Sequence, residues 1–365
     1  MGRILGREKV EKAAERPWWS PVALYMRAFV TSRPDPNAIW KKSDWEHYHS
    51  SQRFIDALFC YLGSPSHILW NVRWPLLSIL AATCLCILYG IKVEPWGLPT
   101  WQNGDDYRLS FQLCSFALSL ILSFRVKLGY DRWWLARQQF GNLRTGACTL
   151  ACMARNYLHQ KHPALADEFV RWGVVWLYAI KQTIDYAPQL DAPAAALLTE
   201  EELAVCTTSH KPRQLAAFKM QHLLAEAEPL IPHSVMLSML DQWGAAFRAA
   251  GDIGRLRHQP GPVGVSMLCT GFAFIWLLLL NLTYTDGASV DSFAILLPGF
   301  FMAMLILGVD EVASQLEDPW RLLPIQALVD IGMKDMQAMV SEHEAWRKLW
   351  PPAAKKEERV DGLDS

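Results

Sequence analysis

Apolar residues in this chain are gathered into uninterrupted blocks. Residues 75–91, 109–124, 263–282 and 293–309 contain no Asp, Glu, Lys or Arg. A helix crossing a hydrocarbon core needs about 20 apolar residues. The block 263–282 (VGVSMLCTGFAFIWLLLLNL) has that length as it stands, and the shorter ones need extension or local thinning of the bilayer. One such block could be a buried core helix, but four in a single chain favour membrane spans. The pattern predicts an all-α, multi-pass protein with spans at about 72–91, 108–128, 263–283 and 292–310. No internal repeat and no long alternation of β type is present.

Charge placement orients these spans. Lys plus Arg number 11 in residues 1–74, 2 in 92–108, 15 in 125–262, none in 283–292 and 7 after 309. The segments alternate rich and poor in cations, as four spans with both termini on the inner (cytosolic or stromal) side require. Trp70, Trp74, Trp96 and Trp101 bracket the first span as interfacial anchors.

Outside the spans the pattern remains helical. Residues 1–40 form an N-terminal segment, partly disordered, and SDWEHYHSSQRFIDALF reads as a surface helix with Ser43 as N-cap and Glu46 three residues on. Pro75 is placed at the start of span one, where its missing N–H does no harm. From Arg125 the helical pattern runs to about His159, ahead of Pro163. Residues 164–187 hold only nine uncharged positions between Arg171 and Lys181, so this helix is expected inside a soluble part. Thr199 with Glu202 forms a capping-box signature for a helix at 200–206, followed by helices at about 212–226 and 232–250. The soluble part comprises 129–260 and 311–340, with Asp318-Pro319 and Pro324 separating helices, and 341–365 is a helix end and disordered tail.

Composition narrows the chemistry. Of 365 residues, 52% are hydrophobic and only 19% charged, with a formal net charge of −1. The eight cysteines (60, 84, 86, 114, 148, 152, 206, 269) show no paired framework. Cys148 and Cys152 share a helix face, with no nearby His or third Cys in sequence to complete a metal site. His343-Glu344 does not continue as HExxH, and no P-loop, GxGxxG or nucleophile elbow occurs. No enzyme, cofactor or nucleic-acid partner is expected.

The second span carries the candidate function. Phe116, Leu120 and Phe124 stack at i, i+4 and i+8 on one helix face, and Arg125, Lys127 and Arg132 follow at once. The alternatives are packing between spans for the first three and an ordinary positive-inside flank for the cations.

At FRVKLGYDRWWLARQQFG, followed much later by GVDEVASQLEDPW, the chain resembles the bestrophin family of anion channels. The motif residues are Phe124-Arg125, Tyr130, Arg132, Trp133, Trp134, Ala136-Arg137 and Gly141 after span two. Asp310, Glu311, Glu317, Asp318 and Pro319 form the second motif, after span four. The resemblance covers most of residues 40–340. DWEHYHSSQR and LLPIQAL look most like the plant and algal branch, which includes voltage-dependent chloride channels of thylakoids.

This resemblance implies a homopentamer in the lipid bilayer, its second spans around a pore with a hydrophobic neck at Phe116, Leu120 and Phe124. Arg125, Lys127 and Arg132 would be the inner-mouth cations. Its cargo would be chloride or a similar monovalent anion. Bicarbonate supply in a photosynthetic membrane and a non-conducting scaffold are the alternatives. A chloroplast thylakoid is the implied site, with the plasma membrane as the alternative. Animal members hold calcium with acidic residues after a Pro-aromatic pair; here Trp320 replaces the usual Phe and Arg321 to Val329 contains no carboxylate.

Overall fold

The structure is a computed structural model, and it describes residues 39–51, 68–93, 96, 105–284 and 290–349. Trp101, the N-terminal segment before residue 39, the second half of the surface helix and the tail from 350 lie outside the described residues. Every regular element described is helical: α1 Lys42–His49, α2 Ile68–Val93, α3 Asp105–Leu158, α4 Pro163–Asp185, the single turn α5 Ala192–Ala195 and α6 Glu200–Thr208. They are followed by α7 Pro212–Ala227, α8 His233–His258, α9 Val263–Leu280, α10 Leu296–Glu317 and α11 Ile325–Leu349. The chain forms two compact units, one of residues 1–129 with 262–316 and the other of 130–261 with 317–365.

The first unit holds four stretches long and apolar enough to cross a membrane, on α2, α3, α9 and α10. Only 17–28% of each apolar window is buried, so most of the greasy surface faces outward, where lipid or another chain must cover it. What is buried is a thin seam of Val72, Leu76, Ile79, Leu118, Ala273, Trp276, Leu277, Ala303 and Leu307. Phe111 stacks on Trp276 with ring centroids 4.7 Å apart. Thr83 donates to the side-chain oxygen of Asn281 at 2.7 Å where α2 meets the end of α9. Trp70, Trp74 and Trp96 are exposed.

Two helix starts differ from the sequence reading. Pro75 lies inside α2, which begins at Ile68 and not at the proline. The preceding turn is held by Val72 in the core and by Asn71, whose amide reaches Glu311, and these contacts offset the hydrogen bond that Pro75 cannot make. Helix α1 begins at Lys42, so Ser43 lies within it; the Asp44 carboxylate caps instead, accepting the Lys41 N–H at 2.7 Å.

The second unit is built around α4, whose run from Trp172 to Lys181 is buried without a break. Aromatic bulk supplies the core: Trp176 is fully buried and lies 4.9 Å from the Trp243 ring of α8. The buried Lys181 ammonium is matched by Asp185 and Asp191, each at 2.8 Å. The Thr199 capping box is present, with the hydroxyl accepting from the Glu202 N–H and the Glu202 carboxylate accepting from the Thr199 N–H. Helix α8 runs to His258, beyond the expected end near 250, and Arg255, Arg257 and His258 in its last turn suit the negative end of the helix dipole.

Candidate pore-lining helix and its polar clasp

Helix α3 is 54 residues long and contains both span two and the helix after it. At 100° per residue its first part presents two opposite faces. Leu118, Leu122, Arg125 and Gly129 are buried and form the face that packs within the protomer. Phe116, Leu120 and Phe124 point the other way, 72%, 49% and 60% exposed. Packing against the other spans of the same protomer therefore does not explain them. Exposed Lys127 continues their line one turn further on.

A polar flank runs beside this line. Ser115, Ser119 and Ser123 each donate to a carbonyl of their own helix, on Gln112, Ser115 and Ser119, at 2.7–2.9 Å. Such back-bonding keeps a hydroxyl in apolar surroundings without a distant partner.

The C-terminal end of span two is closed by a clasp that the sequence did not disclose. Arg125 is only 4% exposed. It pairs with Asp310 of α10, and its guanidinium donates to the Thr270 hydroxyl of α9 at 2.7 Å. Thr270 in turn donates to the second Asp310 oxygen at 2.9 Å. The next carboxylate, Glu311, accepts from Asn71 of α2 at 2.6 Å and from Gln315 at 2.9 Å. Consecutive residues on a helix point about 100° apart, so Asp310 and Glu311 reach different neighbours. The adjacent acids of α10 thus tie it to all three other spans.

Two of the three expected mouth cations are bonded within the protomer. Arg125 is buried in an ion pair, because a bare charge could not be left inside an apolar unit. Arg132 is half-buried, and its Nε donates to the Glu317 carbonyl at 2.8 Å while Nη2 donates to the carbonyls of Leu256 and Gln259. These carbonyls lie at the C-terminal ends of α10 and α8, which lack helical donors of their own. Lys127 alone of the three is exposed.

The other motif residues are dispersed. Tyr130 and Trp133 lie 5.9 Å apart by ring centroid and Trp133 and Trp134 6.3 Å, with Tyr130 and Trp134 about half exposed. Arg137 and Gly141 are exposed, and a Cβ on Gly141 would meet nothing within 4 Å. Glu317 ends α10; Asp318 pairs with Arg257 at 3.3 Å and Arg321 at 3.0 Å, and Pro319 is buried as it opens a 3-10 turn. Sequence reasoning missed Asn71, Thr270 and Arg257. Lone polar residues within or beside apolar blocks were the available signal for the first two.

One cavity in the second unit, of about 430 Å³, brings Cys148 and Cys152 of α3 beside Arg155, Asp335, Glu342 and His343. The His343 that sequence spacing kept remote is thus carried back by α11. Among the described residues no group of three or more His, Cys, Asp or Glu is placed to hold a metal.

Comparison with known proteins gives concordant likenesses. The family described as Bacterial/Fungal Bestrophin protein matches residues 47–338. "Voltage-dependent chloride channel 2, chloroplastic" of Arabidopsis thaliana is 23% identical over 316 residues, covering 85% of this chain and 75% of that protein. A "voltage-dependent anion channel-forming protein" of Escherichia coli strain K12 is 22% identical over 311 residues, covering 82% and 96%. In fold, the chain is similar to a bacterial bestrophin homologue from Klebsiella pneumoniae, with a TM-score of 0.64 at 19% identity, covering 74% of this chain and 98% of the other.

Proposed function

Because the chain belongs to the bestrophin family, we propose that it is an anion channel and not an enzyme, assembled as a homopentamer with α3 of each copy lining the pore. The neck is formed by Phe116, Leu120 and Phe124, and the permeant ion is chloride or a similar monovalent anion. The observation that carries this reading is the outward face of α3, where large apolar side chains stand opposite the face that packs within the protomer. A single copy leaves them uncovered, and a ring of copies around an axis gives them a shared environment.

The physics follows from dehydration. Removing water from a charge costs several kcal/mol or more, and large, weakly hydrated anions lose least. Aromatic ring edges carry partial positive charge and face such ions favourably. A constriction of Phe and Leu also dewets, which closes it without a moving gate. Lys127, next on the same line, repeats around the axis and concentrates anions at the neck. The chain is an integral membrane protein, and we assign it to the chloroplast thylakoid, with the plasma membrane as the alternative; the chloroplastic name of an Arabidopsis relative supports the first.

The test is a planar-bilayer recording of wild type beside Phe116→Ala, Leu120→Ala and Phe124→Ala, singly and combined. The combined variant should conduct more and close less. Unchanged currents would remove the neck assignment. Absence of anion flux from wild type would favour a non-conducting scaffold.

A further inference from the structure

Resting on the channel reading above, we propose that Arg125 is a positioning residue: its bond to Asp310 fixes the rotation of α3 and thereby aims Phe116, Leu120 and Phe124 at the axis. Three observations support this. First, Arg125 immediately follows Phe124, and its side chain is buried on the opposite face. Second, its partners Asp310 and Thr270 come from two different spans and also bond each other, so the clasp is a closed triangle on α3, α9 and α10. Third, the other contacts of this face are apolar: Leu118 lies in a thin seam, Leu122 is buried and Phe111 stacks on Trp276. Apolar contacts tolerate a small slip in helix rotation, because one hydrocarbon surface replaces another. A charge-assisted pair does not, since turning α3 would pull a guanidinium away from its carboxylate in an apolar setting.

The same geometry removes Arg125 from ion selection. Its charge is matched at contact distance by Asp310. Around a ring of copies the pair adds dipoles and no net charge to the neck. Arg125 is therefore assigned to rotational control and not to anion attraction.

The experiment uses the full chain, purified as the assembled particle and reconstituted in planar bilayers. Wild type is compared with the neutral pair Arg125→Gln/Asp310→Asn and the exchanged pair Arg125→Asp/Asp310→Arg. Anion-over-cation permeability is read from reversal potentials in a potassium chloride gradient, and open probability from single channels. The neutral pair should shift open probability several-fold with the permeability ratio unchanged, and the exchanged pair should recover wild-type opening. A lost anion preference with unaltered opening in the neutral pair would overturn the proposal, as would an exchanged pair that assembles but recovers nothing.

If the exchanged pair does not assemble, aqueous thiol-reagent block of Leu120→Cys and Ala117→Cys, each in a Cys114→Ser background, decides the matter. Block should favour position 120 in wild type and move toward 117 in the neutral pair; an unmoved pattern overturns the assignment. Wild type without anion current would instead overturn the channel reading itself, and this inference with it.

Discussion

Replacing Arg132 separates a charge at a channel mouth from a clamp on helix ends. The side chain gives one bond to the Glu317 carbonyl at 2.8 Å and another to the Gln259 carbonyl at 2.6 Å, with a third to Leu256. Hydrogen bonds involving a charged group contribute about 1.5–3 kcal/mol each, and at least one of these carbonyls stays within reach of water. Arg132→Leu should therefore destabilise the second unit by about 3 kcal/mol, well below the sum of three full bonds. Arg132→Lys keeps the charge but offers a single ammonium in place of a planar fork. It should retain only part of that stabilisation. For a domain of this size 1 kcal/mol moves the melting midpoint by about 2–4 °C, so the leucine variant should melt about 6–12 °C lower and the lysine variant in between. Heating detergent-solubilised protein and following the surviving oligomer by size-exclusion chromatography gives the order, and bilayer reversal potentials give the anion preference. A lysine variant as stable as wild type, with a leucine variant that loses anion preference at full stability, would refute the clamp.

Two further outcomes follow from local geometry. At Gly146 an added Cβ would lie 2.7 Å from the Ala246 Cβ, whereas at Gly141 it would meet nothing within 4 Å. Gly146→Ala should incur an overpacking cost of about 1–3 kcal/mol. Gly141→Ala should gain about 1 kcal/mol of helix propensity, so equal melting midpoints for the two would contradict the close crossing of α3 and α8. The Arg171 guanidinium, with help from the Thr199 N–H and hydroxyl, holds the Glu202 carboxyl down to about 2, against the burial that opposes it. A carboxyl lowered in the folded state adds stability that is complete above its ordinary value and is lost as pH falls toward the folded one. Melting midpoints should therefore drop more steeply from pH 5 to pH 3 in wild type than in Glu202→Gln, and parallel slopes would show that the cap carries no such linkage.

Local rules made much of the fold legible. The four uncharged blocks became the four helices suited to a membrane, and Pro163 ended the long helix close to where its geometry demands. The Thr199 capping box formed because both of its bonds lie within three residues. The outward line of Phe116, Leu120 and Phe124 was readable from spacing, since helix periodicity alone puts them on one face. What escaped were decisions made at long range. Arg125 and Arg132 look alike in sequence, each a cation just past an apolar run, yet each is committed to partners more than a hundred residues away. Charge segregation reports which side of a membrane a cation prefers, not which acid or carbonyl it will meet. Pro75 was misplaced because the rule for helix starts weighs only the missing N–H, while Asn71 and Val72 secure the preceding turn through tertiary contacts. The gathering of Cys148, Cys152 and His343 required the return of α11, which no local signal foretells.

The serines beside the neck line have a consequence for what a hydrophilic surface can offer a passing ion. A hydroxyl owns one proton, and at Ser115, Ser119 and Ser123 that proton is given to the helix backbone. What remains to face outward is lone-pair density, which draws neighbouring N–H groups or water and pushes halide away. Wettability and anion affinity thus point in opposite directions along this strip, and any halide ligation by these side chains must begin with a torsional turn that breaks a bond to the main chain.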